Sequence, residues 1–493
     1  MTSKFQKTFL CGMSTAALVV ASLPIAAATS PTTTMPKTSP KTSTTPSASA
    51  IKLSAFREVV LPNGARLLLM EKRDVPLIAF TALMRGGAIA DPANREGLAS
   101  ITAELLQKGA GARNTAQLAE AIDRVGGSIS TSSAREAISI NGEFMNRDAG
   151  LMIEILSDML RRPTFPADEV EKVRDRSVET IAAAKDSDLR SLMGTYFNAF
   201  LFGSNLYGRP TGGSETSLAT IRRDDVLSYY KSHFGGDRLI LAVVGDFEAA
   251  SLEAKLRTAF GDWAKSAAPA PAATPSQAVT GRKVLLVDKP DATQTYFWIG
   301  NLGVNRADRE RASIDLANTV FGGRFTSLLN TELRVKSGLS YGASSVLSRG
   351  LQPGAAAIAS YTKNETTGQA VDLALDVLKR YRTNGMNDEM LNSAKSYVLG
   401  QFPTSIETGD QIANRLADIA LYGLEKNDVE LYGEGVGKAT MADIKKVINR
   451  VYADPANLSF LFIGNADAIR DMVKKYGPVT EMKITDKSFS PKM

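Results

Sequence analysis

The sequence predicts an α+β fold built twice: two homologous α/β sandwich domains, each a mostly antiparallel sheet packed with helices, related by internal duplication. Three observations carry this. Landmarks recur at nearly one offset: "GLMIEILSDMLRRPTFPADEV" starts at Gly150 and "GQAVDLALDVLKRYRTNGMNDEM" at Gly368, 218 residues apart. Gly203 in "FLFGSNLYG" and Gly423 in "LYGLEKND" lie 220 apart, and Gly245 and Gly464, which close "RLILAVVG" and "NLSFLFIG", lie 219 apart. Strand-like and helix-like periodicities are grouped rather than strictly alternating, which favours an antiparallel sheet with helices over a doubly wound one. Finally, "SAAPAPAATPSQA", residues 266–278, alternates Ala and Pro as a semi-rigid connector between the copies.

Taken in order, residues 1–28 read as a signal peptide. Lys4 and Lys7 precede an apolar stretch from Phe9, and the small residues Ala26 and Ala28 suit a signal peptidase. Gly12, Ser14, Ser22 and Pro24 interrupt it too often for a membrane span of about 20 apolar residues. The mature protein is therefore expected without a transmembrane segment, exported to a bacterial periplasm. The only cysteine, Cys11, falls inside this leader, so the mature chain has no disulfide and no thiolate ligand. Residues 29–50, nearly all Thr, Pro, Ser, Ala and Lys, have nothing to bury and read as a disordered tether.

Residues 51–265 then form the first domain. "ARLLLMEKR" and "LIAFTALMRGG" are strands, and "REGLASITAELLQKG" places Leu98, Ile101 and Leu105 at helical spacing. "SISTSSAREAISINGEF" alternates as strands, Met152, Ile155 and Met159 mark a second helix, and "DDVLSYYKSHF" is a helix before the closing strand. Residues 279–493 repeat the plan. The net charge of +6 is spread among interspersed acids without a Lys/Arg run, so nucleic-acid binding has no support.

Two segments carry a family resemblance covering about residues 53–479. "REGLASITAELLQKGAGARNTAQLAEAIDRVGGSIS" resembles the active-site helix of the pitrilysin or insulinase-like zinc peptidases, the family of mitochondrial processing peptidase. There, Gly-Leu-Ala precedes the inverted motif HxxEH: residues four apart share one helix face, so two imidazoles meet one zinc, and the Glu activates the bound water. The resemblance puts Ser100 and Glu104 at the two ligand positions and Ala103 at the base position. The third ligand, a Glu some 75 residues on, falls at Glu179 or Thr180. The helix is kept and its chemistry is gone. The whole chain has one histidine, His233, so no two-His site can form within it. His233, near a helix C-terminus, reads as a capping or surface residue. Two carboxylates such as Glu104 and Glu179 would hold a hard cation only weakly, and Glu104 reads better as a polar residue on a solvated helix face.

The second segment, "FGGRFTSLLNTELRVKSGLSYGASS" (residues 321–345), is similar to the family's second-domain signature, a Gly-rich turn leading a helix that ends in Arg, then Gly-Leu-x-Tyr. Arg334 and Tyr341 match the pair that, in relatives, holds the peptide backbone and assists the oxyanion; guanidinium and phenol are suitable donors where charge develops. Taken alone, Arg near a helix C-terminus suits the helix dipole, and a Tyr opening a strand is often core. With the zinc motif erased and the Arg/Tyr motif intact, the expectation is the non-zinc subunit of a heterodimeric zinc peptidase. No cofactor is expected in this chain; zinc would belong to a homologous partner subunit, and peptides would be the substrates. The alternative is an inert scaffold or peptide-binding protein that kept the fold. A self-sufficient hydrolase has no motif behind it.

Overall fold

The computed structural model describes residues 52–491, so the signal-peptide and tether readings lie outside the described residues. The chain builds two sheets of six strands. The first comprises β1 (Arg57–Val60), β2 (Arg66–Glu71), β3 (Leu77–Arg85), β4 (Ser128–Ser133), β5 (Ala137–Met145) and β6 (Leu239–Gly245), in the spatial order β1-β2-β6-β3-β5-β4. The second comprises β7 (Lys283–Asp288), β8 (Gln294–Leu302), β9 (Ala343–Arg349), β10 (Pro353–Lys363), β11 (Ser459–Gly464) and β12 (Val479–Lys483), in the order β9-β10-β8-β11-β7-β12. Five strands thus repeat in identical order. The sixth comes from opposite ends of the chain: β1 pairs antiparallel with β2, β12 parallel with β7. Most ladders are antiparallel in both sheets, with β2–β6 and β7–β11 the matching parallel pairs. The fold is the α+β duplication that the sequence predicts. The segment 266–278 between the sheets forms no helix or strand.

Alternation along each strand divides its side chains between two buried faces. In β2, Leu67 and Leu69 point into a core shared with helices of the first half, among them α1 (Leu98–Leu105) and α2 (Ala167–Ser187). Leu68 and Met70 point the other way, as do Ile240, Ala242 and Val244. What covers this second face comes from the other half of the chain.

The covering helices are exchanged. After α2, helix α3 (Leu189–Phe202) leaves the first half and lies on the second sheet, packing Met193, Tyr196 and Phe197 against Leu285, Val287, Leu461 and Ile463. Helix α4 (Asp388–Gln401) stays with the second half, whereas α5 (Gly409–Tyr422) crosses to the first sheet, setting Ile412, Ala413 and Leu416 over Leu68 and Val244. Both exchanged helices have 14 residues and start 220 apart, so they are the same element of the repeat. α3 is apolar nearly all round its circumference, as a helix buried on two sides must be.

A buried polar lock joins the halves beside these helices. The β4–β5 turn meets its repeat counterpart, the β9–β10 turn. Glu136 of the first turn is 5% exposed; its carboxylate accepts from Leu351 N (2.7 Å) in the second turn, from Tyr422 Oη on α5 (3.2 Å) and from Tyr207 Oη. Gln352 N donates to Tyr207 Oη in turn (2.8 Å). Burial, followed by the neighbouring Glu136 carboxylate, pushes the Tyr207 and Tyr422 phenols up.

Candidate functional site

Helix α1 begins where the backbone requires glycine. Gly97 is left-handed (φ +94°), and a Cβ there would press on Gly212 O and Leu218. The freed N–H groups are gathered by Asp91, whose carboxylate accepts from Gly97 N and Ala99 N, both at 2.8 Å. Burial outweighs these two hydrogen bonds and raises the Asp91 carboxyl to about 7. The start of the helix that carries positions 100, 103 and 104 is therefore held by a protonatable clip.

On that helix Ala103 is 1% exposed and faces the first core, so a carboxylate placed there would have to enter apolar surroundings. Ser100 is half-buried. Glu104 stands on a solvated face, where the exposed Arg176 guanidinium from α2 pairs with it. The sequence reading overlooked Arg176. It lies three residues before Glu179, one helical turn back, and nothing but the packing of α2 on α1 aims it at position 104. Glu179 and Thr180 are exposed one turn further on, the Thr180 hydroxyl donating to Arg176 O (2.8 Å). The residues present do not fit zinc: a hydroxyl, a buried methyl and a carboxylate already bound to a cation stand where the family's ligands and base would be. Among the described residues no cluster of three His, Cys, Asp or Glu side chains is placed to hold a metal ion.

His233 closes the helix Arg223–His233, its ring 4.8 Å from that of Tyr229. It is half-buried rather than a surface cap; burial, followed by the Arg238 charge, lowers its pKa. Among the described residues its buried Nδ1 has no hydrogen-bond partner.

The Arg/Tyr segment is built differently. The Gly-rich turn, residues 319–323, is a π-helical turn laid on β9, and a Cβ at Gly322 would collide with Ser345 N. A second π-helical turn, Thr331–Lys336, carries Arg334. Ser340 N donates to Leu333 O (3.0 Å), and Ser340 Oγ and Gly342 exchange hydrogen bonds, which folds the chain so that Tyr341 follows Arg334 onto the surface. Tyr341 is 73% exposed, so it is not a core residue opening a strand. The Arg334 guanidinium lies 4.9 Å from the centre of the Phe325 ring, itself 63% exposed. Buried Asn330, a second residue that the sequence reading missed, joins the two flanks: its Nδ2 donates to Phe325 O (2.7 Å) and its Oδ1 accepts from Ala343 N (3.3 Å). Among the described residues, no hydrogen bond or ion pair connects this surface to Glu104.

Comparison with known proteins bears on both sites. A family model described as "Insulinase (Peptidase family M16)" matches residues 78–212, and one described as "Peptidase M16 inactive domain" matches residues 220–398. An uncharacterized zinc protease of Streptomyces coelicolor is 24% identical over 83% of this chain and 90% of its own length. A Helicobacter pylori protein named "Non-peptidase homolog YmxG" is 24% identical over 80% of this chain and 90% of its own. Among solved structures, a peptidase M16 inactive domain from Pseudomonas fluorescens superposes with a TM-score of 0.78 at 20% identity, covering 84% of this chain and 98% of the other. The periplasmic protease PqqL of Escherichia coli superposes with a TM-score of 0.72 at 14% identity, covering 84% of this chain and 46% of PqqL.

Proposed function

The chain belongs to the insulinase-like peptidase M16 family, with both of its domain types present, and from that premise we propose that it is the non-zinc subunit of a heterodimeric metallopeptidase. In this reading it offers Arg334 and Tyr341 to a peptide held at a partner's zinc site. The observation that carries the reading is the contrast between the two sites. At the first, a buried methyl and an ion pair leave no place for metal. At the second, a guanidinium and a phenol stand exposed, with no ion pair among the described residues, in a frame made by Asn330, Ser340 and the Gly-rich turn. Donors held by their surroundings need no reorganisation when charge develops on a scissile carbonyl, which is where such groups lower a barrier. Zinc in the partner would supply the activated water; this chain would bind and orient the peptide and share the oxyanion's charge.

Export to a bacterial periplasm is part of the proposal. The leader-like residues 1–28 and a cysteine confined to them support it, and PqqL is itself described as a periplasmic protease. Among the described residues no helix is long and apolar enough to cross a membrane.

The test is peptidase activity, with added zinc, of the purified chain alone and mixed with an HxxEH-bearing homologue. Activity only in the mixture, lost in Arg334→Ala and reduced at least tenfold in Tyr341→Phe, is expected. Zinc-dependent activity of this chain alone would refute the assignment. The second reading, an inert scaffold or peptide-binding protein that kept the peptidase fold, is favoured by the Glu104–Arg176 pair and by the name of the Helicobacter pylori relative; silence in every mixture would select it.

A further inference from the structure

Two arginines of the second half lie against aromatic rings at the surface and, among the described residues, have no acidic partner. The Arg334 guanidinium is 4.9 Å from the Phe325 ring centre, and that of Arg324 is 5.9 Å from the Tyr397 ring on α4. Arg324 and Phe325 are consecutive in the chain, so the two cation–ring pairs, Arg324 with Tyr397 and Arg334 with Phe325, are carried by one short segment that also precedes Tyr341. Both aromatic members are exposed.

Other cations nearby are already neutralised, since Lys336 and Arg380 both pair with Glu332. Arg324 donates to the Ser393 hydroxyl (2.9 Å) and its Nε is buried, so only the outer edge of its guanidinium faces solvent; among the described residues Glu389, one turn before Ser393 on α4, makes no ion pair with it. The Arg334 side chain has its ring contact and no ion pair. A guanidinium stacked on a ring spends its flat face and keeps in-plane N–H donors for a carboxylate. Adjacent exposed aromatic and guanidinium groups are also what interaction surfaces concentrate.

We propose that this surface recognises peptide segments bearing carboxylate side chains. It rests on the reading of Arg334 as peptide-facing and extends that site towards α4. An Asp or Glu of the peptide would take the exposed donors of Arg334 or the outer edge of the Arg324 guanidinium, while its neighbours cover Phe325 and Tyr397. A Lys or Arg at the same place would meet two like charges. Asn330 is a positioning residue here, because it ties Phe325 to the strand that follows Tyr341.

The experiment uses the full chain and three fluorescein-labelled peptides of one length, differing only in a central Glu, Gln or Lys pair, read by anisotropy at two salt concentrations. The Glu peptide should bind about tenfold more tightly than the Gln peptide, the scale of one charge-assisted hydrogen bond, and the Lys peptide most weakly. Arg324→Gln should shrink the ratio of Glu-peptide to Gln-peptide affinity, and the Arg324→Gln, Arg334→Gln double variant should bring that ratio to about one. Thermal unfolding confirms that each variant is folded. Equal binding of the Glu and Gln peptides overturns the proposal, and so does a Glu preference that survives in the double variant. The parent reading fails separately: a charge preference without activity in any mixture keeps the recognition surface and removes the paired-subunit role.

Discussion

Replacing Glu136 tests whether the two halves act as one folding unit. Its carboxylate takes three hydrogen bonds, of which those from Leu351 N and Tyr422 Oη cross between the halves. In Glu136→Ala, Tyr207 keeps its bond from Gln352 N, but the Leu351 N–H, on a residue open to solvent, exchanges its carboxylate acceptor for water, which costs about 1 kcal/mol. The Tyr422 bond and the packing of the side chain add about another 1–2 kcal/mol, and relief of the desolvation of a buried carboxylate offsets part of this. The expected net loss is about 2 kcal/mol, against about 1 kcal/mol for Glu136→Gln, which keeps the shape and an acceptor oxygen. The two tryptophans make the assay possible. Trp263 ends the first half, whereas Trp298 on β8 lies 5.6 Å from Phe197 of the exchanged helix α3. Urea unfolding of Trp263→Phe and Trp298→Phe backgrounds should report coincident midpoints that Glu136→Ala lowers together. A loss below about 0.5 kcal/mol, or Gln as damaging as Ala, would refute the argument from hydrogen bonds.

The remaining predictions concern the two sites. Asp91 binds its proton more tightly folded than unfolded, so between about pH 4 and 7 it makes stability fall as pH rises, by up to about 1.4 kcal/mol per unit, with no further change above 7. Asp91→Asn should lack that slope, so the difference between variant and parent stability, measured by calorimetry, should change with pH across this range; parallel curves would contradict the assignment. Gly322→Ala forces a methyl against Ser345 N and should cost about 1–3 kcal/mol, while lowering complementing activity because β9 and the Arg334 turn shift apart. Unchanged melting and unchanged activity together would show that the close approach is dispensable.

Much of this was legible in the sequence because it is periodic. The offsets near 219 announce the duplication, and the helical spacing of Leu98, Ile101 and Leu105 matches α1 residue for residue at its ends. The exchange of α3 and α5 was not legible, since amphipathic spacing states that a face is buried without stating against which sheet. The circumferential apolarity of "LRSLMGTYFNAFLF" was the available signal, pointing to contact on more than one side. At the sites, residue types announced the erased metal motif, but the Arg176 cation beside Glu104 depends on how α2 packs. Asn330 looks like an ordinary helix residue until its two backbone partners, 5 and 13 positions away, are known.

The helix exchange has a bearing on what half of this chain would do alone. One copy of the repeat would carry a sheet face with nothing over it and a helix with nowhere to lie. The complement it lacks is another copy of itself, so two free copies would clasp each other in the way the halves do here, and their survival would depend on concentration. Joining them through residues 266–278 makes that association intramolecular and independent of dilution. By the same token, a protease cut within the connector should leave two fragments that stay together in buffer and part only when the sheets themselves unfold.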